Sequence, residues 1–152
     1  MELRLRRRGA LVLAVLALAA GCSREPPAPP THTLEGSYFV HGFFPRRSFG
    51  APCTGGDAGY PDLRKGTVVR VKDASGATLG AATLQGGTLQ RGKLRGRDDD
   101  CVFTYSLTVP ERDAYRIEVG RRGGARFTKA DLQRSNWKAD LTIGQYTMFG
   151  GI

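Results

Sequence analysis

Acid–base and nucleophilic catalysis need a base within hydrogen-bond reach of a reacting proton, and this chain of 152 residues offers two histidines for that task, His32 and His41. His32 stands in a proline-rich stretch, where solvent exposure is expected. His41 stands in an apolar run, where a lone histidine is expected to be packed or hydrogen-bonded rather than catalytic. Gly-x-Ser-x-Gly, His-Glu-x-x-His and a phosphate-cradling glycine loop ahead of a helix are all missing from the sequence. The expectation is a non-enzymatic protein without a cofactor. Two charge clusters remain. Asp98, Asp99 and Asp100 are the strongest carboxylate run, and hard cations such as Ca²⁺ want six to eight oxygens. Consecutive residues point different ways, however, and the Asp-x-Asp-x-Asp-Gly loop is absent, so a solvated turn balancing basic neighbours is the simpler reading. Those neighbours, Arg91, Lys93, Arg95 and Arg97, share one parity of a candidate edge strand. They would meet an anionic envelope polymer, lipid phosphates or an acidic partner, or they simply guard an edge against strand-to-strand aggregation.

The third reactive position is Cys22. Before it, Arg4, Arg6, Arg7 and Arg8 form a basic n-region, and residues 10–20 are an unbroken apolar run of eleven. That run is too short for a bilayer core, which needs about 20 helical residues, and it suits the h-region of a signal peptide. The run ends in Ala19-Ala20-Gly21-Cys22, which resembles a bacterial lipobox, although Ala19 occupies a position where lipoboxes prefer Leu. The resemblance implies cleavage after residue 21, a diacylglycerol thioether on Cys22 and an anchor at the extracytoplasmic face of the membrane. The alternative is an ordinary secretory signal cleaved near Ala20. Arg7-Arg8 fits twin-arginine export in the pair itself and not in the residues that follow. Residues 22–34, with Pro26, Pro27, Pro29 and Pro30, read as a tether of extended polyproline character. The folded domain is expected over residues 35–152.

Cleavage changes the charge and cysteine arithmetic. The whole chain has 23 Lys plus Arg against 14 Asp plus Glu, a formal charge of +9; loss of four Arg and Glu2 with the signal leaves +6. An exported domain of that charge is expected to meet anionic headgroups or cell-wall polymers and not nucleic acid. With Cys22 lipidated, Cys53 and Cys101 remain as an even pair in an oxidising compartment, which favours a structural disulfide. A loop of 48 residues would make that bridge worth about 4 kcal/mol in the chain-entropy account. It would also draw Asp57 and Asp62 towards the 98–100 run as a weak candidate metal cluster.

The elements that must position these residues read as strands. Turn signals begin at Asp73, Gln85, Gly96, Pro110 and Arg122, 11 to 14 residues apart, the spacing of short strands in a sandwich or barrel. Between them the period is two. Val69 and Val71 alternate with Arg70 and Lys72; Phe103, Tyr105, Leu107 and Val109 with Thr104, Ser106 and Thr108; Tyr115, Ile117 and Val119 with Arg116 and Glu118. Trp137, Ala139, Leu141 and Ile143 likewise alternate with polar residues. Each run has one face to bury and one to solvate, as in antiparallel sheets. Residues 38–44 are apolar on both parities and predict a more deeply buried strand. Leu89 and Leu94 fall on opposite parities, which predicts a bulge or an exposed edge. Thr128 with Asp131 forms an acidic capping box for a single short helix. The fold expected is a small, mainly β antiparallel sandwich with one short helix.

Cys53-Thr54-Gly55-Gly56, Tyr60-Pro61-Asp62-Leu63, Gly66-Thr67-Val68-Val69, Asp73-Ala74-Ser75-Gly76, Cys101-Val102-Phe103, Tyr115-Arg116-Ile117-Glu118-Val119 and Phe127-Thr128-Lys129-Ala130-Asp131-Leu132 together resemble uncharacterised lipoproteins of high-GC Gram-positive bacteria. Residues 66–121 are more loosely similar to prealbumin-like sandwich modules. These resemblances imply a β-sandwich and no established activity. The functional expectation is a membrane-anchored binding or structural module of the cell envelope. Its rivals are a small-ligand carrier or enzyme with a loop-built pocket, and an accessory subunit using residues 146–152 for strand addition.

Overall fold

The computed structural model describes residues 27–42, 44, 48–92 and 99–143. Its elements are β1 (Thr31–Gly42), β2 (Pro52–Cys53), a 3-10 turn (Gly55–Ala58), β3 (Val68–Lys72), β4 (Thr78–Thr83), β5 (Gly87–Arg91), β6 (Asp99–Pro110), β7 (Ala114–Val119), β8 (Ala125–Thr128), α1 (Lys129–Arg134) and β9 (Leu141–Ile143). One sheet has the order β2-β5-β6-β1-β9 and the other β4-β3-β7-β8. Over the described residues the chain is a mainly β sandwich of two sheets with one short helix.

The period-two runs become core faces. Phe103, Tyr105, Leu107 and Val109 of β6 point inward beside Leu34, Tyr38 and Val40 of β1. Val69 and Val71 of β3 with Tyr115, Ile117 and Val119 of β7 close the core from the other sheet. Thr128 caps α1 as its sequence predicts: its hydroxyl accepts from the Asp131 amide, and Asp131 accepts the Thr128 amide in return at 2.9 Å. Leu132 is the residue of α1 that enters the core.

Three expectations are corrected. The first strand begins at Thr31, inside the stretch expected as tether, because β1 pairs along its whole length with β6, from Thr31↔Pro110 to Gly42↔Asp99. His32 is therefore sheet-bound and half-buried, not free in solvent. The alternating run 137–143 yields only three strand residues, and β9 lies parallel to β1, not antiparallel. Its beginning is lost because Asn136 and Trp137 take left-handed backbone angles, φ 53° and 59°. The Trp137–Ala139 segment then crosses over Gly36, where a side chain would leave no room: an added Cβ would lie 2.0 Å from the Ala139 carbonyl oxygen and 2.4 Å from the Tyr105 hydroxyl. The third correction concerns Asp99 and Asp100, which belong to β6 and not to a solvated turn.

Candidate anion-binding face

The predicted disulfide is present. Cys53 and Cys101 are bonded with their Cα atoms 5.8 Å apart, and both are buried. Gly87 of β5 lies directly against the bridge, since a Cβ there would stand 2.8 Å from the Cys101 sulfur. The pair is a staple inside the core.

The carboxylates of the proposed metal cluster go to separate tasks. Asp57 accepts the Thr54 amide at 3.0 Å and caps the 3-10 turn. Asp62 takes a two-pronged bond from Arg122, at 2.5 and 3.2 Å, while the same guanidinium lies 4.8 Å from the centre of the Tyr60 ring. Hydrogen bonding from Arg122 holds the Asp62 carboxyl below its ordinary range. Asp100 is only 1% exposed and accepts a hydrogen bond from His41 Nδ1, its cross-strand neighbour in β1. A buried carboxylate needs such a partner, because desolvation without one costs several kcal/mol, roughly. Asp98 lies outside the described residues. Among the described residues no three His, Cys, Asp or Glu side chains gather as a metal site.

The basic edge is also rearranged. β5 ends at Arg91, whose guanidinium sits 5.3 Å from the Phe49 ring centre. It is not a sheet edge, since β2 pairs along its far side and the Leu89 amide and carbonyl bond to residues 51 and 50. Lys93, Arg95 and Arg97 fall outside the described residues, as do Cys22 with the signal peptide and residues 146–152.

A different cluster of cations emerges on the outer face of the four-stranded sheet. Lys72 on β3 is directly opposite Arg116 on β7, and Arg116 is directly opposite Arg126 on β8. Three cations thus form a ladder across three adjacent strands. Arg70 lies one outward position along β3, opposite Glu118. Like charges set directly opposite destabilise a sheet, and Glu118 relieves only part of this. It binds Lys72 at 2.8 Å and Arg116 at 3.2 Å, and Lys72 holds its carboxyl below the ordinary value. Arg70 and Arg126 are exposed and have no carboxylate within ion-pair distance among the described residues. Beside the ladder, the β3–β4 turn forms the wall of a groove of about 410 Å³ that also reaches Arg126. Asp73 is spent inside that turn, where its Oδ1 accepts from the Ser75 amide and hydroxyl and from the Ala77 amide.

The alternation that buries Val69, Val71, Tyr115 and Ile117 is what turns these cations outward. Each was visible singly in the sequence. Their alignment was not, because it depends on strand register, between Lys72 and Arg116, 44 residues apart, and between Arg116 and Arg126, ten apart. The other sheet is chemically different: its outer face presents Glu35, Ser37, Thr104 and Ser106 around a shallow polar groove.

A third cluster marks the place where the chain enters the domain. The His32 ring stacks on Trp137, with centroids 3.7 Å apart and planes inclined by 10°. His32 Nε2 donates to Glu111 at 2.9 Å, and Lys129 holds the other Glu111 oxygen at 3.0 Å. Those two hydrogen bonds, His32 first, keep the Glu111 carboxyl below its usual range. The Glu111 amide donates to the Pro30 carbonyl at 2.7 Å. Tyr115 meets Trp137 edge-on at 5.8 Å.

None of the family models, curated proteins or solved structures compared with the chain matches it.

Proposed function

We propose that this protein is a membrane-anchored, extracytoplasmic β-sandwich that serves the cell envelope as a non-enzymatic module binding anionic material. The observation that carries the reading is the ladder of Lys72, Arg116 and Arg126. It is a like-charge alignment that lowers the stability of its own sheet, and an anionic partner supplies the missing counter-charge. Guanidinium groups suit phosphate and carboxylate partners because they offer paired donors in a planar fork. The lipobox-like Ala19-Ala20-Gly21-Cys22 and the resemblance of residues 53–144 to actinobacterial-type lipoproteins support the anchor and the address. The disulfide fits an oxidising compartment. The core between the sheets is filled by side chains such as Leu34, Phe103, Val71 and Ile117, which weighs against a carrier with a large apolar cavity.

The test has two arms. Intact mass of the protein purified from membranes is expected to show a diacylglycerol increment that Cys22→Ser removes; an unlipidated wild-type chain overturns the anchor. A chain beginning at Ser23 is expected to be retained by an immobilised polyphosphate and to elute earlier when Arg116 and Arg126 are both changed to Gln. Identical elution of the two chains overturns the binding face.

A further inference from the structure

We infer that the ladder docks on the anionic lipid headgroups of the membrane in which the chain is anchored, with the tethered end of the sandwich facing the bilayer. This rests on the anchored reading given above and names its partner. The ladder and the entry point of the chain share one end of the domain. Thr31 is opposite Pro110 at the end of β6, and a three-residue connection leads from there into β7. Arg116 is only two residues into β7, so the ladder stands about 7 Å from that end.

The entry point is also held rather than loose. Pro30 and His32 are bound by Glu111, and Glu111 is held by Lys129. Trp137 keeps a left-handed backbone, φ 59°, while it stacks on His32. A non-glycine residue persists in that conformation only where its surroundings over-determine it. The chain therefore leaves the sandwich from a set position, and the ladder keeps a set relation to the exit. Pro30 lies eight positions beyond Cys22, giving a reach of at most roughly 29 Å. An anchored domain on so short a leash meets headgroups at a high effective concentration.

Most carboxylates at this end are already engaged. Glu111 is engaged by His32 and Lys129, Glu118 by Lys72 and Arg116, and Asp73 by its own turn. Asp113 accepts the Lys129 amide through its backbone carbonyl, which leaves its side-chain charge at the rim. Arg112 donates to the Glu111 carbonyl oxygen and offsets it. The outer face itself carries Arg70, Lys72, Arg116 and Arg126 against Glu118, an excess of three cations. Among the described residues the one large hydrophobic side chain that is exposed, Phe49, lies elsewhere beside Arg91. The contact is accordingly electrostatic, without an inserted apolar wedge, and salt releases it.

Trp137, the one tryptophan of the chain, reports on the contact. Among the described residues the buried core runs from Leu34 to Leu141, so a chain beginning at Ser23 retains it, and circular dichroism checks each variant for folding. Energy transfer from Trp137 to dansyl-labelled headgroups is titrated with vesicles of phosphatidylcholine alone and with vesicles containing phosphatidylglycerol. Three net cations predict partitioning to the anionic vesicles roughly a hundredfold above the neutral ones at low salt, and neutralising Arg116 and Arg126 lowers it by roughly thirtyfold. Equal partitioning to the two vesicle types, or an unchanged Arg116→Gln/Arg126→Gln variant, overturns the proposal. Retention on immobilised polyphosphate without vesicle binding also overturns it and assigns the face to a soluble polymer. Because this chain lacks Cys22, the outcome is independent of lipidation, which the intact mass reads separately.

Discussion

If the ladder is held against its own repulsion, then breaking it should make the domain more stable. Arg126 is the residue to change, because it faces Arg116 directly and has no carboxylate partner among the described residues. Arg126→Gln removes one cross-strand repulsion, worth about 0.2–1 kcal/mol. Arg126→Glu removes it and adds an attraction of similar size, so the gain becomes about 0.4–2 kcal/mol. For a domain of this size that is a rise in Tm of roughly 2–8 °C. The order wild type, then Gln, then Glu is the expected signature, and it runs against the lower strand propensity of Glu. Thermal and urea unfolding should be followed at low salt and at 1 M salt. The Debye length falls to about 3 Å at 1 M, so most of the gain should vanish there. Arg134→Glu is the control of opposite sign, since Arg134 is paired with Asp131 on α1 and its reversal should lower stability slightly. Loss of stability in Arg126→Glu at low salt, or a gain that high salt leaves intact, would refute the ladder as a source of tension.

The crossing over Gly36 gives a larger effect. Gly36→Ala places a methyl group on the Ala139 carbonyl and the Tyr105 hydroxyl and breaks the buried bond of 2.6 Å between them. Overpacking and the lost bond together predict a loss of about 2–5 kcal/mol. Gly86→Ala, which meets nothing within 4 Å, should be near neutral, and equal urea midpoints for the two variants would remove the steric account. Acid should also weaken the fold. Asp62, Asp73, Glu111, Glu118 and Asp131 are all held below their ordinary values, by bonds from Arg122, Ser75, His32, Lys72 and Thr128 respectively. A folded-state value below the unfolded one means that the folded chain binds fewer protons. Their contribution is therefore complete above the unfolded values of 3.8 and 4.5 and is lost as pH falls through the lower folded values. Lys129 runs the other way: its bond to Glu111 raises its value above 10.5, so its share is complete at neutral pH and lost in strong base. Urea midpoints that stay level from pH 7 down to pH 3 would contradict these assignments.

Much of the fold was legible because a half-buried strand writes its period into the sequence. Phe103 to Val109 and Tyr115 to Val119 needed only their own alternation, and α1 only the Thr128–Asp131 pair. The start of β1 was hidden because Thr31, His32 and Thr33 carry little hydrophobic signal and follow a proline run. They are strand residues by virtue of pairing with Val109 and its neighbours, 77 residues away at His32. The same limit applies to Asp100. An aspartate run reads as solvated unless a partner such as His41 is known to lie across the sheet, and the register that brings His41 there is a property of the assembled pair. Trp137 continued a clean alternation in sequence, yet its side chain is spent on His32 and Tyr115 instead of on a strand.

The candidate face was unreadable for a related reason, and that reason bears on what the face is for. Inward positions of β3, β7 and β8 are constrained by the core; outward positions are constrained only by their cross-strand neighbours and by solvent. A sheet choosing outward residues for stability alone would set opposite charges or hydroxyls across from one another, much as the other sheet does with Thr104 opposite Ser37 and Ser106 opposite Glu35. The four-stranded sheet instead sets Lys72, Arg116 and Arg126 side by side. Nothing within the described residues requires it, since Glu118 already has two partners and the core lies on the opposite side of the strands. The sandwich can carry that penalty because its stability comes from elsewhere, from the buried side chains and the Cys53–Cys101 bridge. Glu118 answers Lys72 and Arg116 only in part, and Arg70 and Arg126 find no carboxylate among the described residues; that unanswered charge is what the proposed anionic partner would neutralise.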